Sequence, residues 1–451
     1  MSGPIALEPG GAEQDTLALR LAGTRRIRPD EGCVDRLAAD LADRVGPAVH
    51  PYEVAALLEA EGLSADVIRD RYGHPDLFSL ASALYERVPR TFPEPALPPD
   101  PWRPDHVRCL LRGALFALPG LAYLLAAPLG HAEHHAPALI TAGIVSWAWG
   151  QALGHRAHLR LATGAREAGR TLLTGAPLGA VVATAASTLP GGAGPVTLLA
   201  AAQSAYLAAA GVLLVLARER LLLAALSPLV AGAAVLPWWE PGPLARAGLP
   251  LLALLATLGV TARVLWTTLA VPAVAGGPRP RLRASLPYGL FGLAAAVLVL
   301  LEGRRHPYAV VVLTVSMGPA EWLLYRYRGW SVAALRLAAT PAAFLLRSAG
   351  ILARCLAAYL LPLLPAALLT GAEPAALVLL AATLWTALLL QAFGAAWPSA
   401  AICLVAAAVA GAATLLRPPA GPGVLALCCG VAAPCLAACA LWLLGRPAPH
   451  V

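Results

Sequence analysis

Gly276-Gly277-Pro278-Arg279-Pro280-Arg281-Leu282-Arg283 is a short basic loop set between two long apolar blocks. About six hydrophobic segments precede it and about six follow it, each near the 20 apolar residues a helix needs to cross a bilayer. They lie near 109–128, 137–154, 171–189, 196–216, 220–238, 247–268, 286–301, 308–325, 348–369, 375–395, 398–415 and 424–444. The expected fold is all-α: a polytopic integral membrane protein of about 12 transmembrane helices in two six-helix halves. The loop is then the cytoplasmic hinge between them. The stretch 330–347 has a helical pattern but carries Arg336, Pro341 and Arg347. It reads as an interfacial amphipathic helix or as part of a long, broken ninth span.

Composition supports this class. Apolar residues make up 59% and charged residues 13% of the chain, against roughly half and a quarter in soluble domains. Residues 1–107 hold 18 of the 25 acids and 11 of the 33 basic residues, a balance of −7, so an acidic head precedes a basic, apolar body. The chain has no Lys and no Asn, which suggests a GC-rich, actinobacterial-type genome. The eight Cys sit mostly in apolar runs and form no CxxC pair, so they behave as small hydrophobes. Met1 to Gln14 lacks the basic-then-apolar layout of a signal peptide.

The expected divisions follow from these shifts: a flexible N-terminus (1–30), a small helical cytoplasmic module (31–90), a Pro-rich linker (91–107), a first six-span half (108–271), the basic cytoplasmic loop (272–285) and a second six-span half (286–451). In the module, Val34, Leu37, Leu41 and Val45 make one helical stripe. A second helix starts near Pro51, Ser64 caps a third holding Val67 and Ile68, and Pro75 opens a fourth over Asp76–Val88. The Glu53–Tyr72 stretch has helix-turn-helix spacing. Residues 32–90, however, hold 10 acids against 6 Arg, the wrong balance for phosphate, so nucleic acid is not an expected partner.

Arginine falls in alternate loops: Arg156–Arg170, Arg218 and Arg220, the hinge, and Arg326 and Arg328, together with Arg103, Arg108 and Arg112 before span 1. By the positive-inside rule these loops and both termini are cytoplasmic, in a bacterial plasma membrane. Trp238, Trp239, Trp330 and Trp397 near span ends fit interfacial anchors.

Polar groups at membrane depth are costly and mark function. They are Gln151, Gln203, Arg263, Glu321, Arg347, Arg354 and Gln391. A Glu321–Arg partnership neutralises both charges. Alternatively, Arg263 and Arg354 form a cationic cavity for an anionic substrate such as a pyrophosphate-linked lipid. The competing expectation is that Arg263, Arg347 and Arg354 snorkel to the headgroups. His131-Ala132-Glu133-His134-His135 is the densest ligand-like cluster, with His131, His134 and His135 as weak metal candidates. Three His in an external loop need not converge, and no metal or other cofactor is expected. There is no P-loop, GxSxG or HExxH, and hence no visible catalytic residue or enzyme activity.

Two six-span halves, cytoplasmic termini and a basic loop between spans 6 and 7 resemble the polysaccharide flippases of the multidrug/oligosaccharidyl-lipid/polysaccharide exporter superfamily. The likeness covers 108–451 and is architectural, with no linear motif matched residue by residue. It implies two pseudo-symmetric bundles around a cavity of alternating access, lined by Arg263, Glu321 and Arg354 with Gln151, Gln203 and Gln391. It also implies an ion-driven flippase or exporter of a lipid-linked glycan or related amphiphile, with membrane lipids around it and glycosyltransferases at the cytoplasmic face. The acidic head departs from that family. The alternative class is a non-transporting membrane scaffold whose head recruits a cytoplasmic partner. A membrane glycosyltransferase or acyltransferase is disfavoured, because Glu133 and Glu240 stand alone outside.

Overall fold

The computed structural model describes residues 31–91, 103–126, 132–190, 192, 194–238, 240–272, 280–416 and 423–446. The N-terminal 1–30, most of the Pro-rich linker, His131 and the hinge residues 273–279 lie outside them. The chain divides into two compact units, Met1–Pro99 and Asp100–Val451.

The first unit holds α1 (Glu31–Asp40), α2 (Ala42–Val45), α3 (Pro51–Ala60), α4 (Ala65–Tyr72) and α5 (Leu77–Arg87). Its core gathers Val34, Val45, Val54, Leu58, Ile68, Leu80 and Leu84, with Leu37 and Leu41 packed at its edge. Each fully buried aliphatic side chain contributes about 1.5–3 kcal/mol. The helix starts are set locally. His50 Nδ1 accepts from Tyr52 N–H at 3.2 Å ahead of Pro51, and Ser64 Oγ accepts from Val67 N–H at 3.4 Å. Asp76 and Ser79 form a reciprocal capping box, with Ser79 N–H donating to Asp76 Oδ1 at 2.7 Å. Gly73 closes α4 at φ 71°, where a Cβ would be strained. On α4 only Ile68 is buried; Asp66, Arg69, Asp70 and Arg71 face outward as a mixed-charge surface.

In the second unit, paired short helices alternate with long ones. The first group is α6 (His106–Ala117), α7 (Gly120–Ala126), α8 (Ala132–Leu161), α9 (Ala165–Ala186), α10 (Pro195–Val215), α11 (Glu219–Ala225), α12 (Ser227–Val235) and α13 (Pro243–Ala270). The second is α14 (Leu282–Gly303), α15 (Pro307–Val315), α16 (Met317–Arg336), α17 (Pro341–Leu360), α18 (Leu363–Thr370), α19 (Pro374–Ala392), α20 (Ala396–Leu416) and α21 (Val424–Leu444). Among the described residues, nine helical stretches are long and apolar enough to cross a membrane, taking α6–α7, α15–α16 and α17–α18 as single stretches. The protein is a multi-pass, all-helical membrane protein. In lipid every backbone group must find its partner inside the chain, which helices alone supply locally.

The apolar surface is turned outward. Leu173, Leu178 and Val181 on α9, Leu251, Leu252 and Leu255 on α13, and Val405 and Val409 on α20 are exposed, as lipid contact requires. Helix-to-helix contact relies instead on small residues. A Cβ on Gly175 would meet Leu153, one on Gly179 would meet Trp149, and one on Gly232 would meet Leu249.

The breaks differ in part from the sequence expectation. Chain bends separate α6 from α7 at Pro119, α11 from α12 before Pro228, and α17 from α18 at Pro362. Pro250 and Pro287 lie inside continuous helices. The stretch 330–347 is not one element: its start finishes α16, and its end starts α17. Between them Thr340 Oγ1 accepts from Ala343 N–H at 3.2 Å and Pro341 takes the first helical position. A Thr-Pro pair suits a helix start, so the chain turns there rather than lying flat.

Candidate functional site

Helices of the first group meet those of the second along two seams. One joins α6 to α15 and α16, the other joins α8 to α14.

At the first seam, glycines set the approach. A Cβ on Gly318 would stand 2.7 Å from the Cys109 carbonyl oxygen, and one on Gly113 would stand 3.0 Å from the Val315 carbonyl oxygen. Beside this crossing runs a chain of charges. Glu219, the first residue of α11, accepts at Oε1 from Arg108 Nε at 2.8 Å and from Arg112 Nε at 2.9 Å. Arg112 Nη1 donates to Glu321 Oε1. Side-chain exposure falls from 39% at Arg108 to 20% at Arg112, 21% at Glu321 and 6% at Glu219, so the inner members have little water to screen them. Partly desolvated charges of this kind are held by each other, and removing one strands its partner. Trp322 Nε1 donates to His106 Nδ1 at 3.0 Å one turn away, and Arg326 lies over the Trp322 ring at 5.0 Å.

The second seam is polar without being ionic. His155 stacks on Tyr288 with ring centroids 3.7 Å apart, and its Nδ1 lies 3.1 Å from Ser285 Oγ. Arg156 Nη1 donates to the Pro280 carbonyl at 3.0 Å. Gly289 and Gly292 let α14 close on Ala148, Gln151 and Ala152 of α8. Tyr288 OH donates to the Gln391 carbonyl at 3.4 Å, bringing α19 to the same place.

The six expected cavity residues separate into four groups. Glu321 joins the charge chain, with Arg112 as its partner. Gln151 lies against Gly292 on the second seam, and Gln391 joins it through its backbone carbonyl, which accepts from Tyr288, while Gln391 Nε2 is buried with no hydrogen-bond partner. Gln203 belongs to neither seam. Its Nε2 donates to the Leu139 carbonyl at 3.1 Å, binding α10 to α8, while its Oε1 is buried and unpaired. Arg263 is exposed on α13, on the same side as Leu252, Leu255 and Trp266, and Arg354 is exposed on α17 beside Gly350 and Leu361. Neither pairs with Glu321. Of the weak metal candidates, His134 and His135 fall in the first turn of α8 and His131 outside the described residues; among the described residues no group of three or more His, Cys, Asp or Glu converges on a metal position.

Three functional candidates were not legible as such. Arg112 counts in the sequence only toward the topology pattern, and Glu219 carries no signal there. Glu302 is in the last turn of α14, 1% exposed, with His306 Nδ1 3.1 Å from its Oε1. Glu302 and His306 share a cavity of about 20 Å³, room for roughly one water, with Arg305, Glu373, Ala410 and Thr414. The spacing Glu302-x-x-x-His306 was the available signal, since residues four apart share a helix face.

No family model and no curated protein matches the chain. Among solved structures it is similar to a MOP superfamily transporter from Pyrococcus furiosus, at 15% identity over 77% of this chain and 97% of that one, with a TM-score of 0.42.

Proposed function

We propose that the protein is a membrane transporter of twelve spans in two six-span halves, which work by alternating access. In this reading α6–α7, α11–α12, α15–α16 and α17–α18 each make one bent span. The charged turns of α8 and α9 belong to the ends of two more.

The observation that supports it is a correspondence in packing. In the first group α8 packs on α9, α9 on α13, α10 on α13, and α13 on α12; in the second α16 packs on α17, α17 on α21, α19 on α21, and α21 on α20. Numbering the spans, these are the same pairings displaced by six. The two seams obey the same rule: α8 against α14 is span 2 on span 7, and α16 against α6 is span 8 on span 1. A two-fold axis along the membrane normal exchanges them. Two halves that meet mainly through such equivalent seams among the described residues can rock about them without breaking either internal bundle.

Polar and charged contacts across both seams gather toward the arginine-rich end. On the first they run from His106 to Arg112, and on the second from Ser285 to Tyr288. In this reading the arginine-rich end is cytoplasmic, and the present conformation is closed there by Arg112–Glu321 and His155–Tyr288. The cargo is a lipid-linked glycan or a related amphiphile with an anionic head. Supporting that class, Arg263 and Arg354 are exposed beside apolar side chains, a surface suited to phosphate and acyl chain together. Glu302, a buried acid with one imidazole partner, is the candidate for ion coupling. The acidic helical head is then a recruiting module for cytoplasmic partners.

The experiment is reconstitution into liposomes with a fluorescent lipid-linked glycan and an imposed proton or sodium gradient. Gradient-dependent movement between leaflets, lost in Glu302→Gln, supports the proposal. A wild-type protein that moves neither this probe nor other anionic amphiphiles under either gradient leaves the scaffold reading in its place.

A further inference from the structure

Between the start of α6 and the start of α11 lies an open cavity of about 460 Å³. Three arginines line it, Arg108, Arg218 and Arg220, with two acids, Asp105 and Glu219. The acids are already engaged. Asp105 Oδ1 caps α6 by accepting from Arg108 N–H at 3.0 Å, and Glu219 Oε1 takes Arg108 and Arg112. Arg218 and Arg220 are exposed and make no ion pair among the described residues. Three arginines against two acids leave the lining with one net positive charge, and Arg218 and Arg220 present two guanidinium forks outside the ion pairs.

The turn that presents them is strained. Ala217 sits at φ 57°, the one positive value at a non-glycine among the described residues. It is held there by Arg218 N–H donating to the Leu213 carbonyl at 2.8 Å. A β-carbon in that region costs about 1 kcal/mol relative to glycine. The turn thus fixes Arg218 and Arg220 on either side of the buried Glu219, facing the first turn of α6. Apolar side chains alternate with the charges: Val107 beside Arg108 and Leu221 beside Arg220, both exposed, with Leu111 one turn deeper. A cationic hollow with an apolar side wall, at the end of two helices, has the chemistry of one ligand class. Guanidinium forks match phosphate oxygens, and basic pockets between membrane helices hold anionic headgroups.

We propose that this cavity binds an anionic phospholipid, with its phosphate on Arg218 and Arg220 and its acyl chains along Val107 and Leu221. It is a resident lipid site on the flank of the first helix group, bordering the first seam's charge chain at Arg108 and Glu219. The proposal rests on α6 and α11 belonging to spans and not on transport, so it survives a failure of the transport reading.

The test uses the full chain in detergent and native mass spectrometry with phosphatidylglycerol, against phosphatidylcholine as the neutral lipid. The wild type retains phosphatidylglycerol in preference to phosphatidylcholine. Arg218→Gln with Arg220→Gln lowers retention about tenfold or more, while Arg336→Gln, an exposed arginine near the same end, leaves it unchanged. If the double variant does not fold, each single variant is read alone, and each is expected to show part of the loss. Equal retention by wild type and variants, or an equal loss in Arg336→Gln, overturns the site. Displacement of the lipid by millimolar inorganic phosphate assigns the cavity to a free anion and overturns the lipid.

Discussion

Arg112 and Glu321 lie 209 residues apart in the chain and share a hydrogen bond across the α6–α16 seam, with Glu219 holding the same arginine from the other side. The pair ties the first helix group to the second at a depth where each side chain is only about one-fifth exposed. An ion pair so placed acts as a fastener for one conformation. Glu321→Gln should remove roughly 1–2 kcal/mol from the closed state after allowance for the water that remains, a change of about five- to thirty-fold in its population. Cys109, buried on the same seam, reports it. In a chain whose other cysteines are serine, its labelling by a maleimide should quicken by that factor. Unchanged labelling means the pair does not hold the seam.

The seam's glycines make an opposing pair of predictions. Gly318→Ala puts a Cβ within 2.7 Å of the Cys109 carbonyl, whereas Gly350→Ala on α17 meets nothing within 4 Å. An alanine in an open helical position should be neutral to stabilising by up to about 1 kcal/mol. The crowded one should destabilise by about 1–3 kcal/mol. Thermal melting of the two variants in one detergent decides, and a melting order with Gly318→Ala at or above Gly350→Ala would count against the close crossing.

Much of this architecture was legible. Residues at spacings of three and four announced the helical module, Ser64 announced a cap, and runs of apolar residues announced the spans, because lipid leaves so few ways to satisfy a backbone. The partners across the seams were not legible. Arg112 and Glu219 are both charges near span ends, where topology alone explains an arginine. Nothing in a linear sequence says that α11 begins beside α6. Arg263 and Arg354 stand on exposed faces, and helical periodicity alone does not separate a lipid-facing from a cavity-facing position when both have apolar neighbours. Pro250 and Pro287 lie inside continuous helices, since in a packed membrane helix a proline is tolerated without interrupting the rod.

The acidic head should behave as its own cooperative unit. Leu80 is fully buried in it, and Leu80→Ala removes about 2–5 kcal/mol, comparable with the whole stability of so small a module. Hydrogen exchange on the full-length variant should show protection lost across α1–α5 while α19 keeps its own. Loss of protection in α19 as well would show that the two compact units unfold together.

Glu302→Gln should leave the fold in place and keep the contact to His306, since an amide oxygen still accepts from the ring. Melting is expected to change by less than about 1.5 kcal/mol, and any ion-dependent shift in melting of the wild type should vanish. A wild-type melting temperature that is blind to both pH and sodium would remove Glu302 from the coupling role.

The central claim is that two halves rock about the α6–α16 and α8–α14 seams, and the distance between their far ends tests it most directly. Tyr123 on α7 and Tyr308 on α15 are both exposed, at the ends of their spans remote from Arg112 and Glu321. Spin labels on Tyr123→Cys and Tyr308→Cys in a cysteine-free background give that distance by pulsed electron resonance. The account predicts a distribution that shifts to shorter separations when Arg112→Gln releases the other end. One narrow distribution, the same with and without Arg112→Gln, would contradict it and describe a single fixed bundle.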